Sequence, residues 1–393
     1  MSIRLAARVN RIRPSPTVSI TARAGELRAA GRDIIALSAG EPDFGTPTHI
    51  GEAAWEAIRS GRTKYTAVDG SRTLKEAVIR KFQRDNGLTF ELSQVLVSSG
   101  GKQSCYNACQ VLVEAGDEVI IPAPYWVSFP DMVRLADAEP VIVPTNAAAG
   151  FRMTPEQLGA AITDRTRALI INSPCNPTGS AYARADWEAL GAVLSEHPRV
   201  FVITDDMYEH IYWGSEPFCS FLTACPQLAD RMLTVNGVSK CYAMTGWRVG
   251  YAAGPEAVIK AMTAIQSQST TNACTVSQAA AEAALNGDQS TVTQMCAAFK
   301  ERHDYVIGAL NQLPGFGCPP CQGTFYAFPN IAGAIQSVDA TDDVVFCERL
   351  LEEQNVALVP GSAFGAPGHL RLSFAASRET LEEALNRISD FIS

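Results

Sequence analysis

Short apolar runs rich in β-branched residues recur through the middle of the chain, each ending in a turn that leads toward a helical stretch. Val95–Ser98, Glu118–Ile121, Ala168–Ile171, Val200–Thr204 and Met232–Val235 predict strands, Lys102–Val113 predicts a helix, and Val249-Gly250-Tyr251 reads as the start of a further strand. Runs of this kind alternating with helices imply a mostly parallel sheet covered on both faces. Ahead of them, helical periodicity runs from Thr17 to about Ala30, over His49–Ser60 and from Arg72 to about Asn86. Gly31-Arg32-Asp33 breaks the first of these before a short strand at Ile34–Leu37, and Ser38–Gly45 has the Gly, Pro and Asp content of an irregular loop. A surface helix is expected over Ser2–Ile12. The last third changes character: helices at Ser277–Leu285 and Thr291–Gln312, strands at Gly323–Ala327, Ala357–Val359 and Leu370–Phe374, and a closing helix from Glu379. With the N-terminal segment it suits a smaller α+β domain closing over the sheet edge.

The composition fits that picture. At 393 residues the chain has room for two domains and a large core, and 47% hydrophobic with 19% charged residues is ordinary for a soluble globular protein. A net charge of −9 with no Lys/Arg tract argues against a nucleic-acid partner, and no apolar run approaches the ~20 residues that span a membrane. MSIRLAARVNRIRPS carries four arginines and no acid, so a transit leader is the alternative to a surface helix there. Eleven scattered cysteines, an odd number, read as free thiols of a reducing cytoplasm. Cys318-Pro-Pro-Cys321 has the spacing of half a redox or zinc site, but with no second pair it reads as a loop and no metal is expected.

The polar residues fall in one place. Gly100, Gly101, Trp126, Asn176, Asp205, Tyr208 and Lys240 all follow the C-terminal ends of predicted strands, the edge where open α/β sheets bind ligands. In Ser239–Gly250, Lys240 and Arg248 lie among Gly237, Ser239 and Thr245, small residues that suit an anion. Such a pairing suggests a phosphorylated cofactor bound covalently through an amine. Ser99-Gly100-Gly101 ahead of a helix can aim backbone N–H groups at the phosphate, with Arg248 and Ser239 beside it. Taken alone that turn is weak, being neither a Walker loop nor a dinucleotide fingerprint. Asp205 at a strand end needs a cationic partner, which a protonated pyridine nitrogen would supply; its bland reading is an exposed turn aspartate, as for its neighbour Asp206. Tyr208 and Asn176 could bond a phenolate oxygen on the same ring, and Trp126 could stack on its face. Asn176-Pro177-Thr178-Gly179 is also a good turn with no chemistry required.

With these residues in view, the chain resembles the class I aminotransferases of the fold-type I pyridoxal 5′-phosphate (PLP) superfamily, and within them the bacterial aspartate/prephenate branch. AGEPDFGTP, KYTAVDG, SSGGKQ, PAPYWVSFP, NSPCNPTG, TDDMYEHIY, NGVSKCYAMTGWRVGYAAGP and HLRLSFAAS carry the match in order along nearly the whole chain. The resemblance implies a large PLP-binding domain over residues 48–286 with a mostly parallel seven-stranded sheet. Residues 1–47 and 287–393 would form the small domain. It implies that Lys240 carries the cofactor and moves the Cα proton, and that Asp205 keeps the pyridine nitrogen protonated. Tyr208 and Asn176 would bond the ring oxygen, Trp126 would stack on the ring, and Gly100, Gly101, Lys102, Ser239 and Arg248 would hold the phosphate. Tyr65 would reach the phosphate of a neighbouring subunit, making a homodimer with shared sites. Arg371 would grip the substrate α-carboxylate beside Gly40, Trp126 and Asn176.

The resemblance also narrows the substrate. Gln266–Thr271 holds no arginine of the kind many aspartate aminotransferases use for a distal carboxylate, so Lys102 is the candidate, helped by Ser15 and Thr17. Arg13 lies where prephenate-using relatives carry a basic residue. Aspartate, glutamate, 2-oxoglutarate and oxaloacetate are the expected substrates, with prephenate or aromatic substrates as the alternative. The same frame also serves C–S lyases, aminocyclopropane-forming enzymes and PLP-binding regulators. Regulators usually add an N-terminal DNA-binding domain, whereas the family likeness here already extends into the first twenty residues through Arg13, Ser15 and Thr17.

Overall fold

The structure is a computed structural model that describes residues 3–12 and 16–393. Among these residues the strands are β1 (Ile35–Ala36), β2 (Val95–Ser98), β3 (Glu118–Ala123), β4 (Glu139–Pro144), β5 (Thr166–Asn172) and β6 (Phe201–Asp205). They continue with β7 (Met232–Gly237), β8 (Gly250–Ala253), β9 (Tyr326–Ala327), β10 (Val356–Ala357), β11 (Val359–Pro360) and β12 (Leu370–Ser373). A seven-stranded sheet has the order β2-β8-β7-β6-β5-β3-β4, and β8 alone runs against its neighbours. The α/β class and the mostly parallel seven-stranded sheet are therefore present.

Alternation within the strands builds two cores on the one sheet. Leu169 and Ile171 of β5 face a core with Val97, Ile120 and Val202, while Ala168 and Ile170 face another with Leu96, Val119 and Ile203. Helices Thr48–Arg59, Arg72–Asn86, Arg184–Glu196 and Thr275–Asn286 cover the first face; Gly101–Leu112 and Glu256–Ser267 cover the second. A third core joins Phe299, Phe325, Phe346, Leu370, Leu372 and Ile388, with β11-β12-β9 and the β1–β10 pair along it.

Several expectations need correcting. In place of a helix over Ser2–Ile12 there is a 3₁₀ turn at Ala7–Arg11 with no buried residue. Arg4, Arg8 and Arg11 would stack like charges on one helix face, and that stretch buries nothing in exchange. The single strand expected at Ala357–Val359 is two, β10 pairing with β1 and β11 with β12, with Leu358 at the change of partner. Only Tyr326 and Ala327 of the stretch Gly323–Ala327 form a strand.

One buried ionic network ties helix Arg72–Asn86 to the chain just past β6. Lys81, fully buried, pairs with Glu209 and donates to Asn86 Oδ1 at 2.8 Å. Glu209 also accepts from Asn86 Nδ2 at 2.9 Å and Asn236 Nδ2 at 2.8 Å, and His210 meets Asp85 at 3.0 Å. Asp85, Glu209 and His210 are spaced as metal ligands are, but Lys81 already supplies the cation. Burial would raise Glu209; the charges of Lys81 and His210 outweigh it and hold the carboxyl below its ordinary range. Burial likewise opposes the charge on His210, yet Glu209 and Asp85 bring its pKa up to about 10. Its contribution to stability is complete below its unfolded pKa and fades as the pH climbs through about 10. Lys81→Met should strand the Glu209 charge and cost about 3–5 kcal/mol. Urea unfolding at neutral pH reads this directly, and a loss no greater than that of an exposed lysine variant would show the pair to be dispensable.

Candidate active site

Each strand of the parallel set delivers its edge residue by ending where polar turn chemistry begins. β2 ends at Ser98, and Gly100 then turns the chain at φ 90° into helix Gly101–Leu112. A side chain at Gly100 would collide with the Arg248 guanidinium, and one at Gly250 with the Gly100–Gly101 backbone. Only glycines leave room for this turn to lie against Arg248. Arg248 is itself left-handed at φ 55°, donating from Nη1 to Thr245 O at 2.8 Å and from Nη2 to Ser99 O at 3.3 Å. The helix N-terminus and this arginine thus face the same space, as an anion requires. Ser239 is buried immediately before Lys240, past the end of β7.

Lys240 Nζ donates to Gly40 O at 2.5 Å and lies 6.0 Å from the centre of the Tyr208 ring. Burial, with the charges of Arg371 and Arg248, brings its pKa down to about 8. Asp205 closes β6, where its Oδ1 accepts from the Met207 N–H at 3.1 Å. Burial pushes this carboxyl up to about 6, against the pull of the Met207 N–H and of Lys240. Asp206 corrects an expectation. It is 2% exposed rather than on an open turn, because its N–H is bonded to Val235 O of β7 at 2.9 Å. Burial and the charge of Glu209 push its carboxyl well up.

Arg371 is the most committed group. It is 2% exposed, its Nη1 donates to Asn176 Oδ1 at 2.8 Å and its Nη2 to Ser38 O at 2.7 Å, while Nε has no partner among the described residues. Asn176 is held in turn by Asn172, whose Oδ1 accepts the Asn176 N–H at 2.7 Å and whose Nδ2 bonds Asp205 O at 2.6 Å. Trp126 packs edge-on against Phe129 at 5.2 Å, and Lys102 Nζ lies 4.9 Å from the Trp126 ring centre. Lys102 and Arg248 share a cavity of about 1330 Å³ whose other wall includes Arg11, Pro16 and Ile20 of the N-terminal segment. Burial and the Arg248 charge lower the pKa of Lys102.

Not every expected residue joins them. Arg13 and Ser15 lie outside the described residues. Thr17, second in helix Pro16–Ala29, has its hydroxyl buried and without a hydrogen-bond partner among the described residues. Tyr65 is 89% exposed on a loop pinned by Thr275 Oγ1 to Lys64 O at 2.6 Å and Gln278 Nε2 to Thr66 Oγ1 at 3.0 Å. Two rings were missed altogether: Tyr326 and Phe364 lie 4.3 and 5.0 Å from the Arg371 guanidinium carbon, and Tyr326 Oη meets Tyr208 Oη at 2.9 Å. An aromatic residue in a short apolar run reads as core, so nothing in the local pattern marks either one.

The sheet and its polar edge have the architecture of fold type I, a class of proteins built on such a lysine. The chain belongs to the class I and II aminotransferases, whose family model matches residues 32–388. The aspartate/prephenate aminotransferase of Nitrosomonas europaea is 51% identical over an alignment of 397 positions that spans all of both chains. The crystal structure of the aspartate aminotransferase from Rhizobium meliloti superposes with a TM-score of 0.95 at 45% identity, covering 100% of this chain and 99% of that one. The Thermus thermophilus aspartate aminotransferase solved with maleate gives 0.93 at 42% identity, covering 99% and 100%. The chain is thus an aminotransferase, and membership of this family implies PLP as its cofactor. The residues present fit that group: a glycine cradle beside Arg248, a buried carboxylate short of a cation, and a lysine with a depressed pKa. Among the described residues no helix is long and apolar enough to cross a membrane.

Proposed function

We propose that the chain is a PLP-dependent aspartate aminotransferase, moving the amino group between L-aspartate or L-glutamate and 2-oxo acids such as 2-oxoglutarate and oxaloacetate, with prephenate as a further acceptor. The observation that carries the reading is Arg371, buried with its Nε unpaired among the described residues, bonded to Asn176 and near enough to Lys240 for its charge to lower the amine's pKa. A buried guanidinium without a carboxylate of its own is a site for one that arrives with the substrate. When bound, PLP supplies the electron sink that lets an amino acid lose its Cα proton.

The protein's residues do the rest. Arg371 orients the α-carboxylate and with it the Cα–H bond, near Gly40 and Trp126. Lys240 takes the proton from Cα and would deliver it to the cofactor carbon that bears the transferred nitrogen, a two-way role that its depressed pKa suits. Asp205 holds the proton on the ring nitrogen. Tyr208 donates to the ring oxygen, and Asn176 can do so too, since its Oδ1 is already engaged by Arg371 and its NH₂ remains. The Gly100–Lys102 turn, Ser239 and Arg248 hold the phosphate. Each half-reaction empties the pocket before the second acid enters, which makes the kinetics ping-pong.

The same reading places a homodimer around Tyr65, whose exposed ring on a pinned loop is suited to a second copy's phosphate site; Trp55 and Ile58 add exposed apolar surface. Its domains are 48–286 and 1–47 with 287–393; Ile35 and Leu37 packing with Met295 and Phe299 in the third core supports joining the N-terminal segment to the C-terminal part, although Val292 still packs in the first core. We place it in the cytoplasm, consistent with eleven free thiols.

Specificity rests on Lys102, with Arg13, Ser15 and Thr17 around the distal group. The maleate bound by the Thermus protein is a dicarboxylate, which supports a pocket for two carboxylates. A steady-state screen of donors and acceptors, prephenate included, should rank dicarboxylic acids first, and an enzyme preferring alanine would refute the assignment. Lys102→Ala should raise KM for aspartate and 2-oxoglutarate by about 10- to 100-fold while leaving alanine within about twofold. Equal effects on both would remove Lys102 from the distal pocket.

A further inference from the structure

Tyr208 has one proton and two oxygen partners to serve. Its hydroxyl lies 2.9 Å from that of Tyr326, and this pair is buried. If Tyr208 is to donate to the cofactor's ring oxygen, it must accept from Tyr326. Tyr326 sits on β9, whose register pairs it with Ser373, two residues from Arg371 on the same face of β12. Its ring therefore lies alongside the Arg371 guanidinium, 4.3 Å from the ring centre to the guanidinium carbon. Phe364 contacts the same guanidinium at 5.0 Å. Space around the Tyr326 hydroxyl is closed further by Gly40, where an added Cβ would lie 2.6 Å from Tyr326 Oη. Gly40 is also the residue whose carbonyl receives Lys240. One tyrosine thus touches the ring-oxygen donor, the carboxylate clamp and the loop that holds the lysine.

We propose that Tyr326 is a positioning residue for the transamination: its hydroxyl donates to Tyr208 and so commits the Tyr208 proton to the cofactor, while its ring face carries Arg371. The inference rests on the assignment of Tyr208 and Arg371 made under Proposed function. The two contacts separate by chemistry, because phenylalanine keeps the ring and loses the donor. A hydroxyl that accepts one hydrogen bond becomes a stronger donor in the next, so removing Tyr326 Oη weakens the bond from Tyr208. The ring oxygen then grows more basic and raises the pH at which the bound cofactor's visible band titrates. The ring contact is instead a desolvated cation–π interaction that orients the guanidinium.

The test is a spectrophotometric pH titration of the holoenzyme with a double-mutant cycle. Tyr326→Phe should move the midpoint up by about 0.3–0.6 pH unit, with KM for aspartate and alanine within about twofold of the parent. In a Tyr208→Phe background the same substitution should move it no further. An unchanged midpoint in Tyr326→Phe, or a further shift of equal size without the Tyr208 hydroxyl, would overturn the proposal. Tyr326→Leu, lacking the ring as well, should raise KM for aspartate and alanine alike by about tenfold over Tyr326→Phe. No difference between Leu and Phe would remove the ring from the clamp. Should Tyr326→Leu not fold, the titration of the Phe variants decides the matter alone. A parent protein that neither takes up PLP nor transaminates would defeat the broader reading instead; one that does both, with the Tyr326→Phe midpoint unmoved, defeats only Tyr326.

Discussion

Replacing Lys240 by alanine is expected to lower turnover by at least about 10⁴-fold while the protein still folds and retains the phosphate end of its cofactor site. The loss combines two functions: the amine that attaches the cofactor and the base that moves the Cα proton. The fold should tolerate the change because among the described residues Lys240 makes one hydrogen bond, to Gly40 O, and carries a charge that burial, Arg371 and Arg248 all disfavour. That depressed pKa has its own measurable consequence in the parent chain. With the amine brought down to about 8, roughly a tenth is neutral at pH 7, about 300 times the fraction of an ordinary lysine. Covalent uptake of PLP by cofactor-free protein should therefore accelerate between pH 6 and 8 and level off above. A rate still climbing steeply toward pH 10 would mean that Lys240 titrates normally and that its surroundings do not tune it. Turnover by Lys240→Ala within about tenfold of the parent would remove Lys240 from the chemistry.

The legible part of this site was punctuation. Gly100, Asn176, Asp205 and Lys240 each come shortly after an apolar run, so strand ends and polar groups could be located together without knowing how the strands pair. Lys240 and Arg248 are close in sequence as well as in space. β4 gave no such signal: it is the edge strand at Glu139–Pro144, its side chains are mostly part-exposed, and two prolines interrupt it. The split between β10 and β11 depends on which partner each residue finds, a tertiary choice that a run of small apolar residues does not encode. Arg371 came from the family likeness of HLRLSFAAS rather than from spacing, since an arginine inside a strand is ambiguous until its partners are seen. Tyr326 was invisible for the opposite reason. Its residue type is ordinary for a buried strand, and only the register of β9 against β12 brings it to Arg371. Asp206 was misread because its burial goes with pairing to β7 through Val235 O, a tertiary contact that the local turn pattern does not encode.

Asp205→Asn should separate stability from catalysis in opposite directions. In cofactor-free protein the Asp205 carboxyl is pushed up to about 6 by burial, with only the Met207 N–H and Lys240 to favour its charge. An acid whose folded pKa exceeds its unfolded value binds more protons when native, so stability falls as the pH rises from about 4 to about 6 and stays reduced above. Keeping that carboxylate ionised at neutral pH costs the cofactor-free fold roughly 3 kcal/mol. Asparagine preserves the shape and removes the charge, so the cofactor-free variant should unfold at higher urea than the parent at pH 8 and at about the same urea at pH 4. Binding reverses the comparison. A protonated ring nitrogen gives the aspartate the cation it lacks, and PLP should stabilise the parent more than the variant. Turnover should fall by about 10³–10⁴-fold, because a ring nitrogen without a carboxylate beside it loses its proton and with it the capacity to accept the carbanion's electrons. Parent and variant showing equal stabilisation by PLP would mean that Asp205 does not face the ring nitrogen. A cofactor-free variant no more stable than the parent at pH 8 would mean that solvent, rather than buried protein, surrounds the carboxylate.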